Sequence, residues 1–158
     1  MTAQNISIID KSKEIQSIKN KFGDHYWHEL KAHKEAAGLW GVECNDHGVV
    51  LDRKKEVIVK VKSCIGKLSF AETNKGHWLL GLSAETAISG RGYAPSVWDS
   101  FGFASYWDAR AFGVEKLVKF FMAEAATTNS CSSRMNKANA SEAVKILRAE
   151  RTPQMNLF

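Results

Sequence analysis

The sequence predicts an α+β fold because the spacing of its apolar residues changes twice along 158 residues. Near both ends, apolar side chains recur every three or four positions, which is typical of amphipathic helices. Between about residues 56 and 83 they alternate with polar ones, as in strands with one buried face. The predicted architecture is an N-terminal helix pair, an antiparallel meander of three to five strands, a long helix packed on the sheet, a short C-terminal helix and an extended tail.

The N-terminal helix pair is predicted from caps and apolar spacing. The first helix follows Asp10, a good N-cap residue, and stops at Gly23. The second is predicted to follow Asp24 and to stop at Gly38. Its expected apolar face contains Trp27, Leu30 and Ala37.

The middle of the chain predicts strands. Alternation marks one strand at 56–62, another at 67–70 and a third at 77–83, the last two joined by a turn at 73–76. A shorter strand is expected at 39–43, before a turn at 45–48. Residues 89–92 are expected to form a loop, and 93–97 an edge strand, because it contains Pro95.

The last third predicts a long helix, a linker and a short helix. Ser105 and Asp108 have the spacing of a capping box, so the long helix is expected to begin there. Its expected apolar stripe comprises Ala111, Val114, Leu117, Val118, Phe121, Met122 and Ala125. The expected domains are a single α+β domain at 1–126, a polar linker at 127–139, and a short helix with a C-terminal peptide at 140–158.

Composition sets broad limits on function. The formal net charge is +5, which permits contact with nucleic acid or with an acidic protein without requiring either. No apolar run is long enough to span a membrane, and the N-terminus lacks the pattern of a signal peptide. The three widely spaced cysteines, Cys44, Cys64 and Cys131, suggest reduced thiols and a cytoplasmic location.

Positive charge is concentrated in two segments. The candidate nucleic-acid contacts are Lys11, Lys13, Lys19, Lys21, Arg53, Lys54 and Lys55. The alternative is a solvated surface in which nearby carboxylates dilute this charge.

No motif in the sequence predicts an enzyme, a cofactor or a metal site. His28 and His33 are five residues apart, whereas a helical zinc pair needs a spacing of four. Cys44 and His47 form at most half of a zinc site, because no second pair is recognisable. The sequence also lacks a nucleophile-elbow motif and a triad pattern.

An aromatic cluster follows the glycine-rich loop that contains Arg91. Its members are Tyr93, Trp98, Phe101, Phe103, Tyr106 and Trp107. These rings either cover the core between sheet and helix or, interleaved with Arg91 and Arg110, stack on bases or anchor a protein partner. Exposure of both Trp98 and Phe101 would favour the second interpretation.

The last five residues, Gln154, Met155, Asn156, Leu157 and Phe158, follow Pro153, which favours an extended backbone. This pentapeptide resembles the motif by which bacterial DNA-processing proteins dock on the replicative sliding clamp: glutamine, an aliphatic residue, a small polar residue, leucine and phenylalanine. Met155 and Asn156 depart from the usual leucine and from the usual serine or aspartate. The alternative is that Met155, Leu157 and Phe158 pack on the protein's own core.

The resemblance implies a non-enzymatic accessory protein of bacterial or mobile-element DNA metabolism with the sliding clamp as its partner and with DNA nearby. Residues 66–121 also loosely resemble small sheet-then-helix modules of plasmid and phage proteins. A phage- or plasmid-encoded, anti-CRISPR-like inhibitor of a host defence or replication system is the alternative, with Arg91 and Trp98 as its contacts.

Overall fold

A computed structural model describes residues 5–127 and 134–151 and confirms the α+β class. Its strands and helices, in chain order, are β1 (Ile8–Asp10), α1 (Ser12–Phe22), α2 (Leu30–Trp40), β2 (Lys54–Val61), β3 (Cys64–Glu72), β4 (Trp78–Glu85), β5 (Gly90–Tyr93), β6 (Phe101–Phe103), α3 (Tyr106–Ala126) and α4 (Arg134–Arg151). A single turn of 3₁₀ helix at Tyr26–His28 separates α1 from α2.

The strands form one antiparallel sheet in the order β1-β6-β4-β3-β2, and β5 also pairs with β4. The predicted meander corresponds to β2, β3 and β4. In the β4–β5 hairpin, Leu82 lies opposite Tyr93 and Glu85 lies opposite Gly90. The short strands β1 and β6, which the sequence did not predict, pair with each other.

Helix α1 ends at Gly23 as its sequence predicts, but its N-cap position is Lys11, one residue after the expected Asp10. The Asp10 carboxylate accepts a hydrogen bond from the Ser12 backbone N–H at 2.8 Å, which satisfies one of the free donors of the first turn. Hydrogen bonds from the Ser12 side chain and from its backbone N–H lower the pKa of Asp10. Gly23 ends the helix with a φ of 82°, a conformation that glycine adopts at little cost.

Helix α2 differs from its prediction at both ends. Gly38 lies inside the helix, which ends instead at Gly41 in the left-handed conformation. Its start is delayed because Glu29 is extended, with a ψ of 113°. The buried face therefore consists of Ala32, His33, Ala36, Ala37 and Trp40, and both Trp27 and Leu30 are exposed.

The chain divides into two compact units. Unit 1 comprises residues 1–55, 69–81 and 94–110, and unit 2 comprises residues 56–68, 82–93 and 111–158. The core of unit 1 packs α1 and α2 against sheet residues. Its buried members are Ile15, Ile18, Ala36, Ala37, Trp40, Val50, Ala71, Leu79 and Val97.

In unit 2, α3 packs closely on the sheet, as the sequence predicted. A Cβ atom built on Gly113 would lie 2.6 Å from both Leu68 methyl carbons, and one built on Gly66 would lie 3.1 Å from Leu117. The expected apolar stripe is buried at Val114, Leu117, Val118 and Phe121. Met122, also expected in the stripe, is exposed instead, and its sulfur accepts a hydrogen bond from the Arg148 guanidinium at 3.3 Å.

Other boundaries move for local reasons. The expected strand at 39–43 is wrong, because α2 continues to Trp40 and only Cys44 forms a bridge, with Val50. The expected loop at 89–92 is mostly β5, and the expected edge strand beyond Tyr93 is reduced to a bridge between Ser96 and Val49. Helix α4 begins at Arg134, inside the stretch expected to be a linker. The domain boundaries stay a prediction.

Candidate functional site

The lysines of α1 are the candidate nucleic-acid contacts for which the structure gives the clearest surroundings. Lys13 and Lys21 lie along one side of an open cleft between α1 and α2, which has a volume of about 510 Å³. Glu35 and Leu39 of α2 line the opposite side. The floor includes Ile18, so the cleft has a partly apolar base with charged side chains around it.

Within this cleft, Lys21 already has a partner. Its ammonium group lies 3.0 Å from both carboxylate oxygens of Glu35. Both side chains are well exposed, so this ion pair contributes little to stability and is weakened by salt. Lys21 can therefore exchange Glu35 for a phosphate at small cost, whereas Lys13 is exposed on the same cleft.

The other two predicted lysines lie over aromatic rings. Lys19 places its ammonium group 5.1 Å from the centre of the Tyr26 ring, and Lys11 lies 5.8 Å from the Trp40 ring. Such cation–π contacts hold the charge at the surface while the side-chain stem covers apolar area. Lys19 is thus positioned beside the turn that joins the two helices.

The second basic segment lies at the start of β2. Lys54 and Lys55 are exposed at its first two positions. Arg53 is also exposed, but its guanidinium donates to the carbonyl of Val50 at 2.7 Å. This bond joins Arg53 to the edge of the unit 1 core, because Val50 is buried there. All seven predicted basic residues belong to unit 1.

A buried histidine organises the turn between α1 and α2. His33 accepts a hydrogen bond from the Trp98 indole N–H at its Nδ1, at 3.0 Å. Because an indole nitrogen only donates, the His33 proton resides on Nε2, which donates to the carbonyl of Trp27 at 3.0 Å. Gly48 allows this arrangement, since a Cβ atom there would lie 3.0 Å from both rings.

The aromatic cluster is divided between core and surface. Phe103 is buried, and Tyr106 packs between Phe70 and Trp78 with ring centres 4.6 and 5.6 Å away. Phe101, Tyr93 and Trp107 are exposed. Trp98 is partly buried, and its ring centre lies 4.7 Å from that of Tyr26, so Trp98 and Phe101 are not both exposed.

The two residues predicted to contact a protein partner fall in different units. Arg91 lies on β5 in unit 2, where all four residues of the strand are exposed. Trp98 lies in unit 1 and directs its indole N–H to His33. The remaining predicted contacts, Gln154, Met155, Leu157 and Phe158, lie outside the described residues.

Sequence analysis missed Trp27 as a surface residue. Its ring is 50% exposed and that of Leu30 is 55% exposed, although both were expected on the buried face of a helix. The missed signal is the start of the helix: Trp27 precedes α2 and Leu30 is its first residue, whereas the buried face of Ala32, Ala36, Ala37 and Trp40 lies further along.

Unit 2 contains a polar cluster that fixes the β4–β5 turn. The Glu124 carboxylate accepts hydrogen bonds from the hydroxyl groups of Thr86 and Ser89. Thr86 also accepts a hydrogen bond from the backbone N–H of Ser89 at 3.1 Å.

The pKa of the buried Cys64 thiol is raised by burial and by the negative charge of Glu124, so this thiol is a poor nucleophile.

Two other groups in unit 1 have shifted acidities. Burial raises the pKa of Asp99 to about 7, opposed by a hydrogen bond from the Ser96 backbone N–H. Burial and the nearby Asp46 carboxylate raise the pKa of Cys44, whose thiol lies 3.9 Å from the carbonyl of His33.

Comparison with protein-family models, with curated proteins and with solved structures found no significant match to this chain. Across residues 5–127 and 134–151, no group of three or more His, Cys, Asp or Glu side chains is arranged to hold a metal ion. None of the helices in that part of the chain is long and apolar enough to cross a membrane.

Proposed function

We propose that this chain is a non-enzymatic accessory protein of bacterial or mobile-element DNA metabolism that docks on the replicative sliding clamp. The observation that carries the proposal is the pentapeptide Gln154–Phe158, with its terminal leucine and phenylalanine. The peptide lies outside the described residues, so its support is the sequence pattern. Helix α4 extends to Arg151, and only Thr152 and Pro153 separate that helix from the peptide.

The chemistry of the peptide suits weak and specific docking. An extended peptide presents alternate side chains to a groove while its backbone forms hydrogen bonds with the groove wall. Burial of Leu157 and Phe158 contributes about 1.5–3 kcal/mol each, before the cost of ordering the peptide. Gln154 donates and accepts hydrogen bonds, so it fixes the register. Net affinity in the micromolar range, about −8 kcal/mol, is expected.

The basic surface of unit 1 supports a role near DNA. Lys13 is exposed beside the cleft, and Lys21 forms a solvent-exposed ion pair and lies 5.4 Å from the centre of the Phe22 ring. Surface cations of this kind bind phosphates weakly and without sequence preference. Docking on the clamp raises the local concentration of DNA around these lysines, so weak contacts become effective. We place this function in the cytoplasm, where the clamp and reduced thiols coexist.

Direct binding to a purified bacterial sliding clamp tests the proposal. The full chain is expected to bind with micromolar affinity, and removal of Gln154–Phe158 is expected to abolish binding without changing the thermal unfolding transition. Met155→Leu restores the residue usual in the clamp motif, so it is expected to bind more tightly than the unmodified chain. Equal retention of the full and truncated chains on immobilised clamp would overturn the proposal.

A second candidate is a phage- or plasmid-encoded inhibitor that binds one host defence or replication protein. The observation that favours it is β5, a strand with four exposed residues that include Arg91 and Tyr93. Exposed edge strands pair readily with partner chains. This candidate predicts one-to-one binding that Arg91→Ala weakens and that removal of the C-terminal peptide leaves unchanged.

A further inference from the structure

The turn between α1 and α2 exposes aromatic rings that the unit 1 core does not use. Trp27 is half-exposed, and the ring centre of His28 lies 3.6 Å from its own. His25 completes the group at 6.3 Å from Trp27. We call these three residues the aromatic turn. Tryptophan is usually buried, so one held at the surface is a candidate for binding.

The backbone of the aromatic turn is fixed before any ligand arrives. The Trp27 indole N–H donates to the carbonyl of Asp24 at 3.2 Å, which holds the ring in one orientation. The Trp27 carbonyl accepts from His33, and His33 is itself buried and held by Trp98. A ring ordered in advance loses little conformational entropy on binding, so more of the contact energy appears as affinity.

Lysines outnumber carboxylates in the segment that contains the aromatic turn. Residues 19–34 contain four lysines and two carboxylates. Lys19 is held over Tyr26, the neighbour of Trp27, and Lys31 and Lys34 are exposed on the first turns of α2. Interleaved lysines and exposed aromatic rings suit a ligand that has flat rings and negative charges in alternation. An apolar peptide would satisfy the rings and leave the lysines without a role.

We propose that the aromatic turn binds single-stranded DNA, with one base stacked on Trp27 and His28 and the neighbouring phosphates against Lys19 and Lys31. The choice of DNA as the ligand rests on the function proposed above. Stacking requires an exposed base face, which a duplex hides within its base pairs. Single strands are therefore bound in preference to duplexes of the same sequence. The phosphate contacts make binding decrease as salt is raised.

Fluorescence anisotropy of a labelled oligo(dT) with the full-length chain at low salt tests the stacking. Trp27→Ala is expected to weaken binding by about 5- to 100-fold, the loss measured for one base stack. Trp107→Ala is the matched control, because Trp107 is 58% exposed in the same unit and lies outside the aromatic turn. Trp27→Phe is expected to retain most of the affinity, whereas Trp27→Leu is not.

These variants preserve the turn, because His33 bonds to the backbone carbonyl at residue 27 and not to its side chain. Equal losses from Trp27→Ala and Trp107→Ala would overturn the inference. So would a Trp27→Leu variant that binds as well as Trp27→Phe, because it would show a general apolar contact. Equal affinity for a duplex of the same length would also overturn it.

The two proposals fail separately. A chain without Gln154–Phe158 is expected to bind oligo(dT) normally while losing the clamp. Trp27→Ala is expected to bind the clamp normally while losing oligo(dT). If the unmodified chain binds only one of the two ligands, clamp or oligo(dT), the missing activity identifies the proposal that is wrong.

Discussion

Asp99 gives this protein a pH-dependent stability that one substitution should remove. Its carboxylate accepts the Ser96 backbone N–H at 3.1 Å, and its backbone carbonyl accepts the indole N–H of the buried Trp40. Burial raises the pKa of Asp99 to about 7, whereas an aspartate in an unfolded chain titrates near 4. Asp99→Asn keeps the oxygen that Ser96 needs and removes the titrating proton.

The direction of the effect follows from proton binding. Between about pH 4 and pH 7 the folded state retains a proton that the unfolded state has released, so the free energy of unfolding falls as pH rises through this window. A difference of about three pKa units corresponds to at most roughly 4 kcal/mol. Asp99→Asn should therefore match the unmodified protein near pH 4 and exceed its stability by up to roughly 4 kcal/mol at pH 8.

Urea denaturation followed by tryptophan fluorescence at several pH values measures this difference. The quantity that matters is the variant's free energy of unfolding minus that of the unmodified protein, because other titrating groups cancel in it. Asp52→Asn controls for the loss of one negative charge at an exposed position. A difference for Asp99→Asn that stays constant between pH 4 and pH 8 would refute the assigned pKa and its cause.

Three further predictions concern packing, hydrogen bonding and capping, all measured by chemical denaturation. Gly113→Ala should destabilise the protein by about 1–3 kcal/mol, because its Cβ atom would clash with the packed methyl groups of Leu68. Gly38→Ala has open space around its Cβ atom and should stabilise α2 by up to about 1 kcal/mol. Similar effects from both variants would contradict the packing argument. His33→Ala should cost about 2–4 kcal/mol, since it opens a cavity and leaves the Trp98 N–H without its acceptor; a loss below about 0.5 kcal/mol would show that this bond is unimportant. Ser105→Ala should cost about 0.5–2 kcal/mol by removing the α3 N-cap, and Ser105→Thr should restore most of it; equal losses from both variants would rule out capping.

The sequence predicted the elements whose apolar pattern repeats. In β2, Val57, Val59 and Val61 mark a strand by simple alternation. In α3, the cap at Ser105 and a stripe that includes Val114 and Phe121 define both the start and the inward face. A pattern of this length matches the period of the helix or strand over several repeats, so tertiary packing rarely overrides it.

The missed elements are too short to show a pattern or contain residues with two structural meanings. β1 and β6 contain three residues each, which is less than two periods of alternation. β5 contains two glycines, which usually indicate a loop; here one of them allows close pairing, since a Cβ atom on Gly92 would lie 3.3 Å from the Leu82 carbonyl oxygen. Such contacts are decided by the partner strand, which local sequence does not specify.

The lysines of the candidate site could be predicted from the sequence, whereas the exposure of Trp27 depends on where α2 starts. The α1 lysines follow from sequence, because charged residues on an amphipathic helix face solvent. Trp27 does not, because the extended conformation of Glu29 shifts α2 by enough to expose both Trp27 and Leu30. Whether an aromatic residue near a helix start is predicted to be buried or exposed depends on the helix boundary, which is uncertain by one or two residues.

The bond network of His33 explains why this exposure is a built feature of unit 1. A buried imidazole is costly unless both of its nitrogens have partners, and here one partner is Trp98 and the other is the carbonyl of Trp27. That network fixes a turn whose own side chains contribute little to the core, since Trp27, His25 and His28 are all exposed. Trp98 therefore has an inward role: it holds the histidine that positions the aromatic turn. The contacts that satisfy the buried His33 therefore also fix the backbone that carries the exposed Trp27.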